Sequence, residues 1–343
     1  MFTKKFATRL NSFKSKYEAN TKSITKLAQH SLKLTKQFRE DNAIEYDCSQ
    51  IGTLKIYRSK KSFDAAIEHC KKLKKMGINS EVLTTTHLIE KEPQLAEIED
   101  QLEGGIYFQD DEVGDAHKFC KELADVVRSK GGRILTNVEI KELLVDQNSI
   151  EGVKTDRAEI NSEKVIISAG SWSYLLLKGL NLRLPVRPVK GYSLTIETPP
   201  LNSMPKLALV DEDIHTAITP FSNSRIRVTA AAELAGFDEE IHEKRVSYLK
   251  RMLNSVYPSL YTQLDVDEGK LWFGFRPMSP DGLPFIGETK ISGLYLNTGQ
   301  GHLGWTLAMG SADLCSDIVL ENKTAIDSYP YSCLLYTSPS PRD

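Results

Sequence analysis

Arg276 and the glycines downstream of it are the residues whose types and spacing best suit chemistry. Arg276 follows the apolar stretch Lys270–Phe275 and precedes Pro277, which places it where a strand gives way to a loop. A planar guanidinium in that position pairs with a carboxylate through two parallel hydrogen bonds and fixes its orientation. A buried structural ion pair is the other use for such an arginine. Further on, the apolar run Leu294–Asn297 enters Gly299-Gln300-Gly301-His302-Leu303-Gly304. A helix then follows, with Leu303, Leu307, Gly310, Leu314 and Ile318 at helical spacing. Glycines let the backbone approach a ligand closely. The N–H groups of a first helical turn and the helix dipole favour negative charge. A phosphate suits such a turn, and so does an electron-rich ring edge.

The elements that must position these residues are legible in outline. Thr53–Tyr57, Gly105–Gln109 and Val165–Ser168 read as strands, the last ending at the small residues Ala169-Gly170. Ser62 is the expected cap of a helix over Phe63–Met76, with Gly77 as its stop, and Asp115 caps another helix that ends before Gly131-Gly132. A short helix over His87–Glu92 ends at Pro93. A short strand at Arg133–Leu135 precedes a hairpin, Val138–Val145 with Ile150–Thr155. From Leu184 the pattern changes to longer strands, Val186–Glu197, Thr216–Thr219 and Arg225–Ala230, followed by an amphipathic helix over Glu239–Tyr257. Strands followed by a helix predict an antiparallel sheet with a helix on one face. The stretch Pro277–Gly287 is expected to be a loop, because Pro277, Pro280, Asp281-Gly282, Pro284 and Gly287 punctuate it.

Several of these segments together resemble the D-amino-acid oxidase superfamily of flavoproteins, and its D-amino-acid dehydrogenase branch most of all. They are Gly274-Phe-Arg-Pro with Pro280-Asp-Gly-Leu-Pro-Phe-Ile-Gly287, the glycine turn, Val165-Ile-Ile-Ser-Ala-Gly-Ser-Trp-Ser173, Leu184-Pro-Val-Arg-Pro-Val-Lys-Gly-Tyr-Ser-Leu-Thr-Ile196 and Gly236-Phe-Asp238. They occur in the family's order from about Gln50 to Tyr329. The resemblance implies an α/β (α+β) architecture: a Rossmann-like FAD-binding domain of the D-amino-acid oxidase type and an antiparallel-sheet substrate domain. It also implies FAD as cofactor, a D-amino acid as substrate, and a quinone or other membrane acceptor for the electrons. An amine oxidase of the glycine or sarcosine type is the alternative enzyme, and a non-catalytic fragment the alternative of another class.

The same resemblance assigns residues. Arg276 binds the substrate carboxylate, and Tyr192 either gives it a hydroxyl or packs in its sheet. Gly299, Gly301, His302, Leu303, Gly304 and Trp305 sit at the flavin ring, Ala169, Gly170 and Trp172 approach the cofactor, and Val138 offers its backbone to the adenine. His215 is a candidate for an outer contact. Trp172 and Trp305 either flank the cofactor or simply pack. The expected domain boundaries are 1–50 for a basic helical segment, 51–110 and 184–270 for the substrate domain, 111–183 and 271–330 for the FAD domain, and 331–343 for a non-native tail. The family's opening βαβ unit carries G-x-G-x-x-G. No such motif stands near the start of this sequence, so the chain is expected to begin inside the family's sequence, lacking that unit.

Composition sets the remaining limits. Of the 343 residues 40% are hydrophobic and 26% charged, as in globular proteins, and a net charge of −2 gives no reason to expect nucleic acid. The five cysteines are scattered with no C-x-x-C, which argues against a disulfide framework and against a metal site. No apolar run reaches the roughly 18 residues of a membrane span. Residues 1–40 carry ten Lys or Arg against two Glu, with Ile24, Leu27, Leu34 and Phe38 on one helical face. Such a helix is a plain surface helix, a contact with anionic membrane, or a targeting segment. A cytoplasmic chain, peripheral on the inner face of the membrane, is the expected location. The run Asp211-Glu-Asp213 is expected to be a solvated loop.

Overall fold

The computed structural model describes residues 2–200, 204–221 and 224–334, with the side chains of the first helix described from Tyr17 onward. The chain forms two compact units. Unit one is built from Met1–Ala43, Val127–Val189 and Phe275–Asp343, and unit two from Ile44–Val126 and Lys190–Gly274.

Unit two is organised on an eight-stranded sheet. Its order is Lys270–Met278, Arg187–Glu197, Arg225–Glu233, Thr216–Phe221, Ala208–Asp211, Thr53–Tyr57, Gly104–Phe108 and Glu81–Leu83. The boundary between the units falls within the strands Arg187–Glu197 and Lys270–Met278. Strand alternation sorts the side chains. Leu54 and Ile56 enter a core shared with Leu194, Ile196, Ile218, Val228 and the helix residues Leu249, Leu253 and Val256. Tyr57 enters a smaller core with Ile106, Phe108 and Cys70 of the helix Lys60–Lys75. Each fully buried aliphatic side chain contributes about 1.5–3 kcal/mol.

Unit one holds two small sheets. Phe285–Glu288, Leu294–Thr298 and Val165–Ile167 lie in that order, and Ile140–Asp146, Ser149–Thr155 and Glu159–Asn161 form an antiparallel meander. The long helix Phe2–Asn42 lies along the helix Gly304–Val319. Leu27 and Ser31 are fully buried there. A Cβ on Gly310 would stand 2.9 Å from the Leu27 carbonyl oxygen and 2.9 Å from Ser31 Cβ, so the absence of a side chain sets how closely the helices approach. The basic segment is thus a packed helix of unit one, with Lys22, Lys26 and Lys33 on its exposed side. Among the described residues no helix is long and apolar enough to cross a membrane.

The structure departs from the sequence reading at identifiable places. The sheet expected to be antiparallel contains one parallel ladder, Thr53–Tyr57 beside Ala208–Asp211. Phe285–Glu288 is a strand inside the expected loop, because Leu294–Thr298 supplies an antiparallel partner. Arg133–Leu135 is not a strand, and Val138 lies ahead of the strand that starts at Ile140. The helix after Tyr57 starts at Lys60, and Ser59 caps it by accepting the Ser62 N–H. Residues 111–126 belong to unit two. Asp115, which accepts from the N–H groups of His117 and Lys118 as a cap should, also pairs with Arg225 and Arg227 of the large sheet. Asp211 is fully buried against Arg58 Nε at 2.6 Å, and Asp213 accepts the Arg58 N–H and the Ser62 hydroxyl; these two carboxylates hold a turn together and are not simply solvated. Tyr331 and Cys333 of the expected tail are buried in unit one, whereas residues 335–343 lie outside the described residues.

Candidate active site

Leu294–Thr298 and Val165–Ile167 run parallel, and each ends in a turn containing glycine. The carboxyl ends of parallel strands are where open α/β sheets bind ligands. Gly170 has φ +53° and Gly299 and Gly301 have φ +85° and +59°, backbone that L side chains rarely adopt. No atom lies within 4 Å of where a Cβ on Gly170 or Gly304 would stand, so both turns present bare backbone to open space. No side chain caps the 3-10 turn Gly301–Leu303 or the helix Gly304–Val319 that continues it, so the positive end of the helix dipole lies at the glycine turn.

Arg276 lies on the strand Lys270–Met278, and its neighbours in sequence are tied to both turns. The hydroxyl of Ser171 donates to the Phe275 carbonyl at 3.1 Å. Trp172 meets the Phe275 ring edge-on, with centroids 5.6 Å apart and planes at 81°. Met278 is paired with Gln300, and a Cβ on Gly301 would stand 3.1 Å from Met278 Sδ. The Gln300 amide donates to Asn297 Oδ1 at 2.7 Å, which closes the glycine turn on its own strand. Arg276 is half-buried, and burial holds its guanidinium below the ordinary value. A guanidinium nevertheless keeps its charge at neutral pH, and partial removal from water strengthens its attraction for an anion.

Arg276, Ala169, Gly170, Trp172, Gly299, Gly301, His302, Leu303, Gly304 and Trp305 all belong to unit one. His302 and Gly304 are exposed, whereas Leu303 and Trp305 are half-buried. Val138 also lies in unit one, between Asn137, whose carbonyl accepts from Arg157, and Glu139, whose N–H donates to Asp156. Its own amide and carbonyl have no hydrogen-bond partner among the described residues.

Tyr192 and His215 belong to unit two. The Tyr192 hydroxyl donates to Glu233 Oε2 at 2.6 Å, and its side chain is 2% exposed. Burial and then the bond to Glu233 raise the phenol above its ordinary value, so its hydrogen is engaged within unit two. His215 occupies the turn before Thr216 with φ +53° and is exposed, a conformational role. Sequence reading missed the three fully buried hydroxyls of Ser171, Ser173 and Thr298. The small polar residues beside Gly170 and Gly299 are the signal the sequence holds for them.

The bare glycine turns and the uncapped helix suit the electron-rich ring edge of a flavin such as FAD. Comparison with known proteins agrees. The model of the DAO family, FAD dependent oxidoreductase, matches residues 5–318, so the family region begins well before Gln50 and takes in the basic helix. The D-amino acid dehydrogenase of Vibrio vulnificus is 37% identical over 322 residues, which are 93% of this chain and 76% of that protein. The glycine oxidase of Geobacillus kaustophilus matches with a TM-score of 0.80 at 26% identity, covering 90% of this chain and 82% of that one. The L-proline dehydrogenase of P. horikoshii, also at 0.80 but 18% identical, shares the fold, over 90% of this chain and 81% of that one. The chain belongs to the DAO family of FAD-dependent oxidoreductases.

Proposed function

We propose that the chain catalyses FAD-dependent oxidative deamination of D-amino acids and passes the electrons to an acceptor other than oxygen. The D-amino acid and an acceptor A, with water, yield the 2-oxo acid, ammonium and the reduced acceptor AH2. The observation that carries this reading is Arg276 on a strand tied to both glycine-containing turns, in a chain 37% identical to a D-amino acid dehydrogenase.

FAD, when bound, supplies the two-electron oxidant. Arg276 holds the substrate carboxylate through two parallel hydrogen bonds and thereby fixes where the α-hydrogen points. The positive dipole end at the turn Gly301–Gly304 favours negative charge that develops next to it. Positioning and this fixed dipole carry the catalysis from the protein's side, and no paired acid and base is needed. A membrane quinone suits the acceptor role. In that reading the exposed Lys22, Lys26 and Lys33 of the first helix face anionic lipid.

The test compares acceptors and substrates with the flavin-loaded full chain. Anaerobic turnover of D-alanine with a dye acceptor is the expected result. Turnover confined to oxygen with glycine or N-methylglycine would instead support the glycine-oxidase-like reading that the 0.80 TM-score leaves available. A chain that takes up no stoichiometric flavin would be a non-catalytic fragment.

A further inference from the structure

Three buried hydroxyls link the segments around Arg276. Ser173 donates to Thr298 Oγ1 at 3.2 Å, Thr298 donates to the Gly170 carbonyl at 3.0 Å, and Ser171 donates to the Phe275 carbonyl at 3.1 Å. All three side chains are 0% exposed. Each hydroxyl hydrogen has one acceptor, so the chain of bonds is consistent in direction. Thr298 stands immediately before Gly299, and Gly170 immediately before Ser171. The Thr298 bond therefore joins the ends of the two parallel strands, and the Ser171 bond carries that joint to the strand of Arg276.

The acceptor of Ser171 matters for its position. The Phe275 carbonyl shares a planar peptide unit with the Arg276 nitrogen. Holding that oxygen holds the plane from which the Arg276 side chain departs. A fully satisfied buried polar network of this kind fixes one arrangement, because any shift leaves a buried group unpaired.

We propose that Ser171 is a positioning residue for Arg276, and that Thr298 keeps Ser171 in place. Together they set the direction in which the guanidinium meets a substrate carboxylate. The inference rests on the carboxylate-binding reading of Arg276, and it predicts an effect on carboxylate affinity rather than on cofactor affinity.

Benzoate, a carboxylate that cannot be deaminated, is the probe, titrated against the flavin-loaded full chain and followed by the visible difference spectrum. Ser171→Ala is expected to raise the benzoate dissociation constant about tenfold, the scale of one lost buried hydrogen bond. FAD affinity should stay within about twofold, since no cofactor contact is removed. Thr298→Val, equal in volume, is expected to show the same loss, and Thr298→Ser, which keeps the hydroxyl, to restore binding. With D-alanine, Ser171→Ala should raise KM more than it lowers kcat.

Unchanged benzoate affinity in Ser171→Ala would overturn the proposal. So would parallel losses of benzoate and FAD, which mark a merely structural role. If Ser171→Ala does not fold, Ser171→Cys, which keeps the size but donates only weakly, decides by the same criterion. A parent chain that binds no benzoate also overturns it. That outcome is separate from failure of the deamination reading, which turnover of D-alanine decides.

Discussion

Met278 is paired with Gln300, so the strand that carries Arg276 is bonded directly to the glycine turn at the head of the helix Gly304–Val319. Only Pro277 separates Arg276 from that bridge, and Gly301 follows it directly. Arg276, proposed to bind the substrate carboxylate, and the glycine turn are therefore parts of one framework within unit one.

Gly301 is a close point of that framework, at φ +59° and with Met278 Sδ 3.1 Å from where a Cβ would be. Gly301→Val adds a branched side chain to left-handed backbone, which costs about 1–2 kcal/mol before any displacement of Met278. The expected outcome is a lower melting temperature together with reduced flavin content in the purified chain.

Tyr192→Phe separates the two roles considered for this tyrosine. Its hydroxyl serves Glu233, which Arg245 also holds at 2.8 Å. Loss of that bond should cost about 0.5–1.5 kcal/mol of stability in denaturant unfolding. KM for a D-amino acid should move by less than about twofold, because uniform substrate binding is untouched. A large rise in KM with stability unchanged would return the hydroxyl to the substrate.

How much of this was legible beforehand depends on the range of each interaction. Asp115 as a cap, Gly77 as a stop and the strand–turn–helix from Leu294 are local patterns, and the structure contains them. Arg276 could be singled out because its neighbours in sequence announce a strand end. Phe285–Glu288 could not be read as a strand, since Pro284 and Gly287 are local breakers and its partner alone makes the ladder. Ser171 and Thr298 were invisible for the same reason: their acceptors are 104 and 128 positions away in the chain. The sequence leaves the role of Tyr192 open because only the fold brings Glu233 to its hydroxyl.

Asp115 gives unit two a pH dependence. Burial alone would raise its carboxyl, but Arg227, the N–H groups of Lys118 and His117, and Arg225 outweigh burial and hold it below the ordinary value of 3.8. A carboxyl depressed in the folded state adds stability above its unfolded value and loses it as pH falls through the folded value. Asp115→Asn, which keeps a capping oxygen, should therefore lower the melting temperature at neutral pH. The gap to the parent should narrow as pH drops below the carboxylate range.

The exposed lysines of the first helix make the membrane reading measurable. Vesicles containing anionic lipid should retain the chain at low salt and release it as salt rises, with about 1 kcal/mol for each lysine near the surface. Replacing Lys22, Lys26 and Lys33 with Gln should abolish retention without altering turnover with a soluble dye. Retention unaffected by those changes would remove the helix from that role.

The most direct measurement is anaerobic mixing of the flavin-loaded chain with D-alanine or with L-alanine, watching the visible absorbance of the flavin. The account predicts bleaching by the D enantiomer alone. It also predicts that Arg276→Lys, which loses one of two parallel charge-assisted bonds, slows bleaching at low substrate by roughly 10- to 150-fold. Bleaching by L-alanine as fast as by D-alanine, or bleaching indifferent to Arg276, would contradict it.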